Sequence, residues 1–295
     1  MIVVTGATGH YGRQVVEGLL RQLPANQLGV SVRDTEKAQD FAQQGVRVCP
    51  GDFAYPASLA KAFDGADQVL IVSVPKLGEE ALRDHANAIQ AAKQAGVKRI
   101  LYTSHQGAAL SSAFVPCRGH AETEGLLQES GVSYVSLRNG FYAESALFQL
   151  GGMKAAGKIA VPEDGLVSWT ARADLAEAAV AALTLPGLFD GISPPLTSSA
   201  VLDFSDIAEI ASEILDRPIP RETISDETFR EGLLSRGLPA AMTEAIGTLY
   251  IASRAREFAV IDPALEKLLG RKPTSMKEVL RGFLSASDSR PHHAH

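Results

Sequence analysis

The sequence predicts an α/β fold in which a doubly wound parallel sheet is followed by a smaller, mainly helical C-terminal lobe. Short apolar, β-branched runs alternate with segments of helical periodicity through the first half of the chain. The first run leads directly into a glycine-rich turn, and the alternation loosens after about residue 145. Strands that alternate with helices lie parallel, because right-handed crossovers return the chain to the same edge of the sheet.

The individual elements follow from periodicity. Ile2 to Thr5 is a β-branched apolar run, and the apolar residues from Val15 to Leu23 recur at helical spacing. The predicted strands cover residues 2–5, 28–32, 46–49, 68–72, 99–103 and 133–137. The predicted helices between them cover residues 13–23, 35–44, 57–63, 80–95 and 118–130.

The domain organisation follows from where the alternation of strands and helices stops. Residues 1–150 are predicted to form the sheet domain, with a late strand added near 195–199 in PLTSS. Residues 151–286 are predicted to form a discontinuous smaller lobe on the substrate side, and 287–295 a flexible tail. In the lobe, GGMKAAGKI and PEDG are predicted loops. Helices are predicted over 172–183, from Asp203 or Ser205, and from Ser225 or Asp226.

Composition restricts the class of protein. The 295 residues are 45% hydrophobic and 21% charged, as in ordinary globular domains, and the net charge is -6. An acidic chain favours neither nucleic acid nor an anionic membrane as a partner, and no apolar run is long enough to span a bilayer. Cys49 and Cys117 fit no metal or redox spacing and are predicted to be two thiols in a reducing compartment. We therefore expect a cytoplasmic protein without a metal; a homodimer is one assembly that the sequence allows.

The first turn carries the most specific motif. It runs Thr5, Gly6, Ala7, Thr8, Gly9, His10, Tyr11, Gly12, directly between the first strand and the first helix. In a Rossmann-type dinucleotide site the first glycine permits the tight turn, the second lets the backbone approach a pyrophosphate, and the third allows close packing of helix and strand. Amides at the helix N-terminus meet the negative charge. The alternative is a tight turn that binds nothing.

The residues after the second and third strands indicate which dinucleotide the chain binds. Arg33 and then Asp34 end the second strand. An arginine suits a 2′-phosphate and favours NADP(H), whereas an acidic residue here suits the ribose hydroxyls of NAD(H), which stays an alternative. Asp34 could instead cap the following helix. Asp52 and Phe53 follow the third strand and are predicted either to edge the adenine or to form a simple turn. A single glycine fingerprint leaves nothing that points to flavin.

The catalytic region lacks a familiar pair. A standard short-chain dehydrogenase transfers a proton with a tyrosine and a lysine four residues later, but none of the six tyrosines is followed by lysine at that position. The polar candidates that remain are Thr103, Ser104 and His105 at the end of the fifth strand, and His120, Asn139 and Tyr142 beyond it. His120 is predicted either to donate a proton or to be a surface histidine paired with Glu124. Trp169 is predicted to wall the pocket or simply to pack.

The motifs together resemble a known family. VTGATGHYG, SVRD, GDF, AGVKRILYTS and SLRNGFY are similar to the NmrA-like branch of the atypical short-chain dehydrogenases, including flavin-free bacterial NAD(P)H:quinone oxidoreductases and triphenylmethane dye reductases. The resemblance covers roughly residues 1 to 285. It implies that Gly6 to Tyr11 hold the pyrophosphate, Arg33 the 2′-phosphate, and Ser73, Val74 and Pro75 the ribose. It further implies that the nicotinamide end is lined by Leu137, Arg138, Asn139, Gly140, Phe141 and Tyr142.

Two functions remain open on this basis. The first is an NADPH-dependent oxidoreductase that passes hydride directly to a quinone or a similar planar electrophile. General acid catalysis is typically worth about 10²–10⁴ in rate, but a quinone gains aromaticity on reduction and depends less on that help. The second is a catalytically silent NADP(H)-sensing regulatory protein, which the missing tyrosine and lysine favour. A sugar-nucleotide epimerase is disfavoured, because it needs that pair.

Overall fold

The computed structural model describes residues 1–150, 153–185 and 187–288. The strands are β1 (Ile2–Thr5), β2 (Leu28–Val32), β3 (Arg47–Pro50), β4 (Gln68–Ile71), β5 (Arg99–His105), β6 (Ser133–Asn139), β7 (Ile159–Val161), β8 (Gly191–Ile192) and β9 (Arg221–Thr223). The helices are α1 (His10–Leu20), α2 (Gln39–Gln43), α3 (Pro56–Phe63), α4 (Gly78–Gln94), α5 (Val115–Ser130), α6 (Ala143–Gln149), α7 (Met153–Ala156), α8 (Arg172–Thr184), α9 (Phe204–Leu215), α10 (Asp226–Ser235), α11 (Ala240–Arg254), α12 (Ala264–Leu269) and α13 (Met276–Asp288).

The central sheet confirms the predicted fold class. Its seven strands are ordered β3-β2-β1-β4-β5-β6-β8, and every neighbouring pair is parallel. The chain order reverses between β1 and β4, which is the switch point where open α/β sheets bind ligands at the carboxyl ends of their strands. β5 and β6 pair over seven residues each, from Arg99 opposite Ser133 to His105 opposite Asn139. Both strands are therefore longer than predicted, and His105 and Asn139 are their last residues.

The sheet is covered on both faces, which explains the unbroken apolar runs. β1 and β2 are buried at every residue, as expected of parallel strands between two helical layers. One core cluster lies between the sheet and α3, α4 and α5, and includes Phe63, Ile100 and Tyr102. On α1, a Cβ added at Gly18 would lie 2.7 Å from a methyl group of Val180 on α8, so these two helices pack at close range.

The chain divides into two compact units, with a boundary that differs from the predicted one. The first unit is Met1–Asn139 with Leu175–Leu196, and the second is Gly140–Asp174 with Thr197–His295. The second unit is mainly helical, as expected, and includes the parallel pair of β7 and β9. The first segment of this unit ends at Asn139, the last residue of β6, whereas the sequence predicted residue 150.

Two local predictions were wrong. The late strand is Gly191–Ile192 rather than 195–199, where Leu196 forms only an isolated bridge to Asn139. Consecutive prolines at 194 and 195 explain the end of the pairing, because proline has no N–H to donate to a ladder. The described part of the predicted loop GGMKAAGKI contains α7 and ends on Ile159, the first residue of β7. The partner strand β9 lies about sixty residues further along the chain.

The later helix starts agree with the capping signals. Asp203 caps α9 and forms a reciprocal capping box with Asp206, while the Ser225 side chain accepts from the Thr228 amide at the start of α10. α13 runs to Asp288, so the first two residues of the predicted tail are helical. The rest of that tail, 289–295, lies outside the described residues.

Candidate functional site

The glycine-rich turn has the geometry that its spacing predicts. Gly6 has a φ of +62°, a conformation that residues with a side chain rarely adopt, and its carbonyl accepts from the Gly9 amide at 2.9 Å. A Cβ added at Gly12 would lie 2.4 Å from the Gly6 carbonyl oxygen. Gly9 is the N-cap of α1 and has no side chain to occupy the amides of the first turn. The turn therefore offers backbone donors and a helix N-terminus to an anion.

A cavity of about 500 Å³ adjoins this turn within the first unit. That volume is typical of a ligand pocket. It is lined by Gly6, Thr8, Gly9, Ser31, Val32, Arg33, Lys37, Gly51, Asp52, Phe53, Ala54, Val72, Ser73, Val74, Pro75, Lys76 and Asp84. The lining residues follow the carboxyl ends of β1, β2, β3 and β4 and reach α4, so the structure brings together the predicted pyrophosphate, 2′-phosphate, adenine and ribose positions.

Other residues of the turn serve the packing instead. Ala7 is fully buried, and Tyr11 is 5% exposed with its hydroxyl donating to the Leu175 carbonyl at 3.2 Å. His10 is exposed at the first position of α1, and Gly12 allows the close approach of helix and turn. These four residues are not among those that line the cavity.

Arg33 lies in the cavity wall at the end of β2. It is exposed and forms no hydrogen bond or ion pair with the described part of the chain. Asp34 is engaged locally: it accepts from the Glu36 amide at 3.1 Å and lies 3.6 Å from the Lys37 ammonium. These contacts form a local turn, whereas the N-cap of α2 is Ala38, so Asp34 does not take the capping role that the sequence left open.

The loops after β3 and β4 are fixed by α4 and β5. Asp52 accepts from the Ala54 amide at 2.9 Å, and the Asn87 side chain on α4 donates to the Phe53 carbonyl at 2.8 Å. The Thr103 hydroxyl accepts from the Ser73 amide at 2.8 Å. Asp52 and Phe53 thus form the predicted turn and also line the cavity, and their contact with an adenine stays a prediction.

His85 on α4 holds the loop after β4 at Val74. The ring is 4% exposed, and its Nε2 accepts from the Val74 amide at 3.1 Å. Its Nδ1 therefore carries the proton and donates to the Thr123 hydroxyl at 3.0 Å, which donates in turn to a carbonyl of α5. Burial, with a smaller effect from His120, lowers the pKa of His85 to about 4, although the neighbouring Asp84 carboxylate acts in the opposite direction. A neutral His85 can accept from Val74, whereas the imidazolium cannot.

Two further neutral histidines are His105, at the end of β5, and His120, on α5. The Tyr102 hydroxyl lies 2.8 Å from Nδ1 of His120, and burial lowers the pKa of His120 to about 4. Nδ1 of His105 accepts from the Gly107 amide and lies 3.1 Å from Sγ of Cys117, and burial, assisted by His120, lowers the pKa of His105 to about 3. Cys49 and Cys117 are both buried thiols outside any disulfide.

We predict that these three histidines make folding sensitive to mild acid. Their pKa values lie below the value of about 6.5 for an exposed histidine, so the unfolded chain binds more protons and stability falls as pH drops from about 6.5 towards 4. Between about pH 7 and pH 5, each ring contributes up to about 2 kcal/mol to the decline. Urea unfolding at the two pH values measures it. In His85→Gln, whose amide oxygen can still accept from the Val74 amide, the fall in unfolding free energy should be smaller by the contribution of His85. Equal stability of the wild-type protein at the two pH values would contradict the prediction.

Glu124 is not the partner of His120. Its Oε1 accepts from the hydroxyls of Ser104 and Ser136, each at 2.8 Å, and the Arg138 guanidinium binds both carboxylate oxygens at 3.1 and 2.7 Å. The surface pairing considered for His120 is therefore wrong, since Glu124 is 6% exposed and joins α5, β5 and β6. Hydrogen bonding to Glu124 raises the pKa of Arg138. The Arg138 side chain is thus occupied by a structural ion pair.

Asn139 differs from the other residues of β6. It is 1% exposed, and neither Oδ1 nor Nδ2 of its amide has a hydrogen-bond partner among the described residues. Buried amides are nearly always hydrogen-bonded, so such a group marks a place where a polar ligand or water is required. Leu137, two residues earlier, is fully buried in the sheet.

The last predicted residues begin the second unit. Gly140 follows β6 directly; Phe141 packs edge-on against Trp169 at 5.2 Å and Phe258 at 5.3 Å between ring centroids. Tyr142 is half-buried, and the Arg172 guanidinium lies 5.1 Å from its ring centroid. The Trp169 indole is 3% exposed and donates to the Leu202 carbonyl, so it belongs to the packing of this unit.

Sequence reasoning missed part of the cavity wall. The residues it did not select are Ser31, Val32, Lys37, Gly51, Ala54, Val72, Lys76 and Asp84. Ser31 could have been found, because it lies two residues before Arg33 and therefore shares its side of β2. Asp84 lies within a helix, and no local pattern marks it as facing a cavity.

The comparisons with known proteins agree with this geometry. A family model described as NAD(P)H-binding matches residues 6–186, which include the glycine turn and every residue that lines the cavity. The chain belongs to this NAD(P)H-binding family, in its NmrA-like branch. Within the residues that the structure describes, no cluster of histidine, cysteine, aspartate or glutamate is suited to a metal ion, and no helix is long and apolar enough to cross a membrane.

Three members of the family are similar to the chain over nearly its whole length. Quinone oxidoreductase 2 of Escherichia coli is 32% identical over 94% of the chain and 96% of its own length. Its crystal structure with NADPH superposes with a TM-score of 0.90, covering 96% of this chain and all of that one. The NAD(P)H azoreductase of Xenophilus azovorans is 30% identical over 97% and 99% of the two chains. Citrobacter triphenylmethane reductase with NADP(H) is 33% identical, with a TM-score of 0.88 over 96% and 99%.

Proposed function

We propose that the protein is an NADPH-dependent oxidoreductase that transfers hydride directly to a quinone or a similar planar electrophile, without flavin. The observation that carries this proposal is the cavity, in which the glycine turn meets Arg33, an arginine without an ion pair among the described residues. The names of the relatives support the substrate class, since they include a quinone oxidoreductase, an azoreductase and a triphenylmethane reductase.

The residues present fit the cofactor. The amides at Gly9 and the start of α1 suit the pyrophosphate, and Arg33 with Lys37 suits a 2′-phosphate. Ser73, Val74 and Pro75 would hold the ribose, in a loop fixed by Thr103 and His85. When bound, NADPH supplies a hydride, so that quinone, NADPH and one proton yield hydroquinone and NADP⁺.

The proton that the reduced quinone takes up cannot come from a tyrosine and lysine pair of the standard spacing, because the sequence has none. Tyr102 is fully buried and its hydroxyl is held by His120, so it does not replace the missing tyrosine. If Tyr102 donates to Nδ1, His120 carries its proton on Nε2 and can donate a hydrogen bond to a developing oxyanion. With a pKa of about 4, His120 stays neutral near pH 7 and stabilises charge without acting as an imidazolium acid. A quinone, whose reduced anion is aromatic, accepts hydride under these conditions.

Asn139 and Tyr142 are the other residues proposed to act on the reacting groups. The unpartnered Asn139 amide can both donate to and accept from the carboxamide of a nicotinamide, which would satisfy its buried polar atoms. Tyr142 offers a half-buried ring for stacking on a flat acceptor and a hydroxyl for its carbonyl oxygen.

A spectrophotometric screen tests this function. Purified protein is mixed with NADPH or NADH and with quinones, cationic dyes, azo dyes, nitro compounds and aldehydes, and cofactor oxidation is followed. We expect turnover with quinones or dyes, faster with NADPH, by protein whose absorbance spectrum shows no flavin. Binding of NADPH without oxidation above the uncatalysed rate on the whole panel would contradict the proposal.

The second candidate is a silent NADP(H)-sensing regulator, which the absent tyrosine and lysine favour. It predicts tight binding that discriminates NADP⁺ from NADPH, no turnover, and a protein partner. Calorimetry with both redox forms, followed by capture of partners on the immobilised protein, tests it. Equal affinity for the two forms and no captured partner would rule it out.

A further inference from the structure

Asp84 is a carboxylate in the cavity wall to which nothing so far assigns a role. It lies in the middle of α4, and its side chain is 2% exposed. Oδ2 accepts from the Lys76 ammonium at 2.7 Å, whereas Oδ1 is buried and has no hydrogen-bond partner among the described residues. A buried carboxylate oxygen is costly to leave without a donor, so Oδ1 marks an acceptor position at the edge of the cavity.

The Lys76 ammonium fixes the direction of this acceptor. It lies 2.8 Å from Glu80 as well as 2.7 Å from Asp84, and hydrogen bonding to Asp84 and then Glu80 raises the pKa of Lys76. Glu80 is half exposed and outside the cavity wall. Since Lys76 occupies Oδ2, the carboxylate presents its other oxygen in a fixed position.

The polarity of the cavity restricts what Oδ1 can meet. Arg33 and Lys37 form its cationic side after β2, where phosphate oxygens are favoured. Asp84 lies with the loop after β4 and would repel a phosphate, which has no donor to offer. Asp52, the other carboxylate of the wall, already uses Oδ1 for the Ala54 amide. The cavity therefore pairs a cationic side with an acceptor whose complement is a neutral hydrogen-bond donor.

We propose that Oδ1 of Asp84 accepts a hydrogen bond from the 6-amino group of the cofactor's adenine ring. This inference rests on the proposed function, because it requires NADP(H) in the cavity. The amino group is the only hydrogen-bond donor that the adenine base offers once it is joined to ribose. A base with a carbonyl oxygen at the same position would face the carboxylate with a second acceptor and would be rejected.

The test compares NADP⁺ with its hypoxanthine analogue, which has oxygen in place of the amino group. Calorimetry on the wild-type protein is expected to show binding of NADP⁺ about 10- to 150-fold tighter, the range for a hydrogen bond to a charged group. In Asp84→Asn, the ratio should fall below about threefold, since an amide can face either base with an acceptor or a donor. Glu80→Gln is the matched control and should keep the wild-type ratio.

Three outcomes would overturn the inference. The wild-type protein could bind both nucleotides equally well, a comparison that needs no variant to fold. Asp84→Asn could keep the full ratio, or Asp52→Asn alone could abolish it, which would assign the amino group to Asp52. Failure of the wild-type protein to bind either nucleotide would instead overturn the proposed function, and the two failures are thereby distinguished.

Discussion

Arg33→Ala is expected to weaken NADPH binding by roughly 10- to 150-fold and to change NADH binding by less than about threefold. A charge-assisted hydrogen bond is worth about 1.5–3 kcal/mol, and only NADPH carries the phosphate that Arg33 is placed to bind. Because Arg33 has no other partner in the described chain, its removal leaves no buried group unsatisfied and should not alter folding. Fluorescence titration with both cofactors measures the two affinities.

Lys37→Ala is the control that tests whether Arg33, rather than the neighbouring lysine, binds the 2′-phosphate. Lys37 also lines the cavity but is 73% exposed and lies near Asp34, so its loss should reduce NADPH affinity by less than the loss of Arg33. An unchanged preference for NADPH in Arg33→Ala, together with a collapse in Lys37→Ala, would show that the lysine reads the phosphate.

Glu124→Ala is expected to lower the free energy of unfolding by about 3–5 kcal/mol, the cost of breaking a buried ion pair by removing one partner. The Arg138 side chain is 26% exposed, and its guanidinium would lose both carboxylate oxygens. The hydroxyls of Ser104 and Ser136 would lose their acceptor as well. Urea denaturation at neutral pH measures the change.

Glu124→Gln separates charge from hydrogen bonding in this network. Its amide oxygen can still accept from the two serines, but it pairs less strongly with Arg138, so we expect a loss clearly smaller than that of alanine. A change below about 1 kcal/mol in Glu124→Ala would contradict the prediction and would mean that solvent reaches Arg138 readily.

The parallel sheet and its phosphate turn were predictable because their signals are local. β1 is a continuous apolar run, and the three glycines are separated by spacings that the turn itself requires. Arg33 was predictable for the same reason, because it directly follows β2, at a fixed number of residues after the glycine turn. These features are set by backbone geometry within about thirty residues.

What could not be predicted depends on contacts between distant residues. β7 and β9 have three residues each, which is too few to show the alternation of apolar and polar residues typical of a strand. They are identified only by their pairing with each other. Glu124 and Arg138 are fourteen residues apart, and the spacing of four between His120 and Glu124 suggested a different and wrong partner. Asp84 and His85 are adjacent on one helix and contact different loop residues, Lys76 and Val74.

The contact between Gly12 and the Gly6 carbonyl has a consequence for the kinetics of cofactor binding. Close backbone packing holds helix, turn and strand together through contacts within the chain, and the Tyr11 hydroxyl anchors α1 to α8. A segment that is already ordered loses little conformational entropy on binding. The amides of this turn should therefore capture a diphosphate without a slow rearrangement, and the association rate constant should depend more on ionic strength than on temperature.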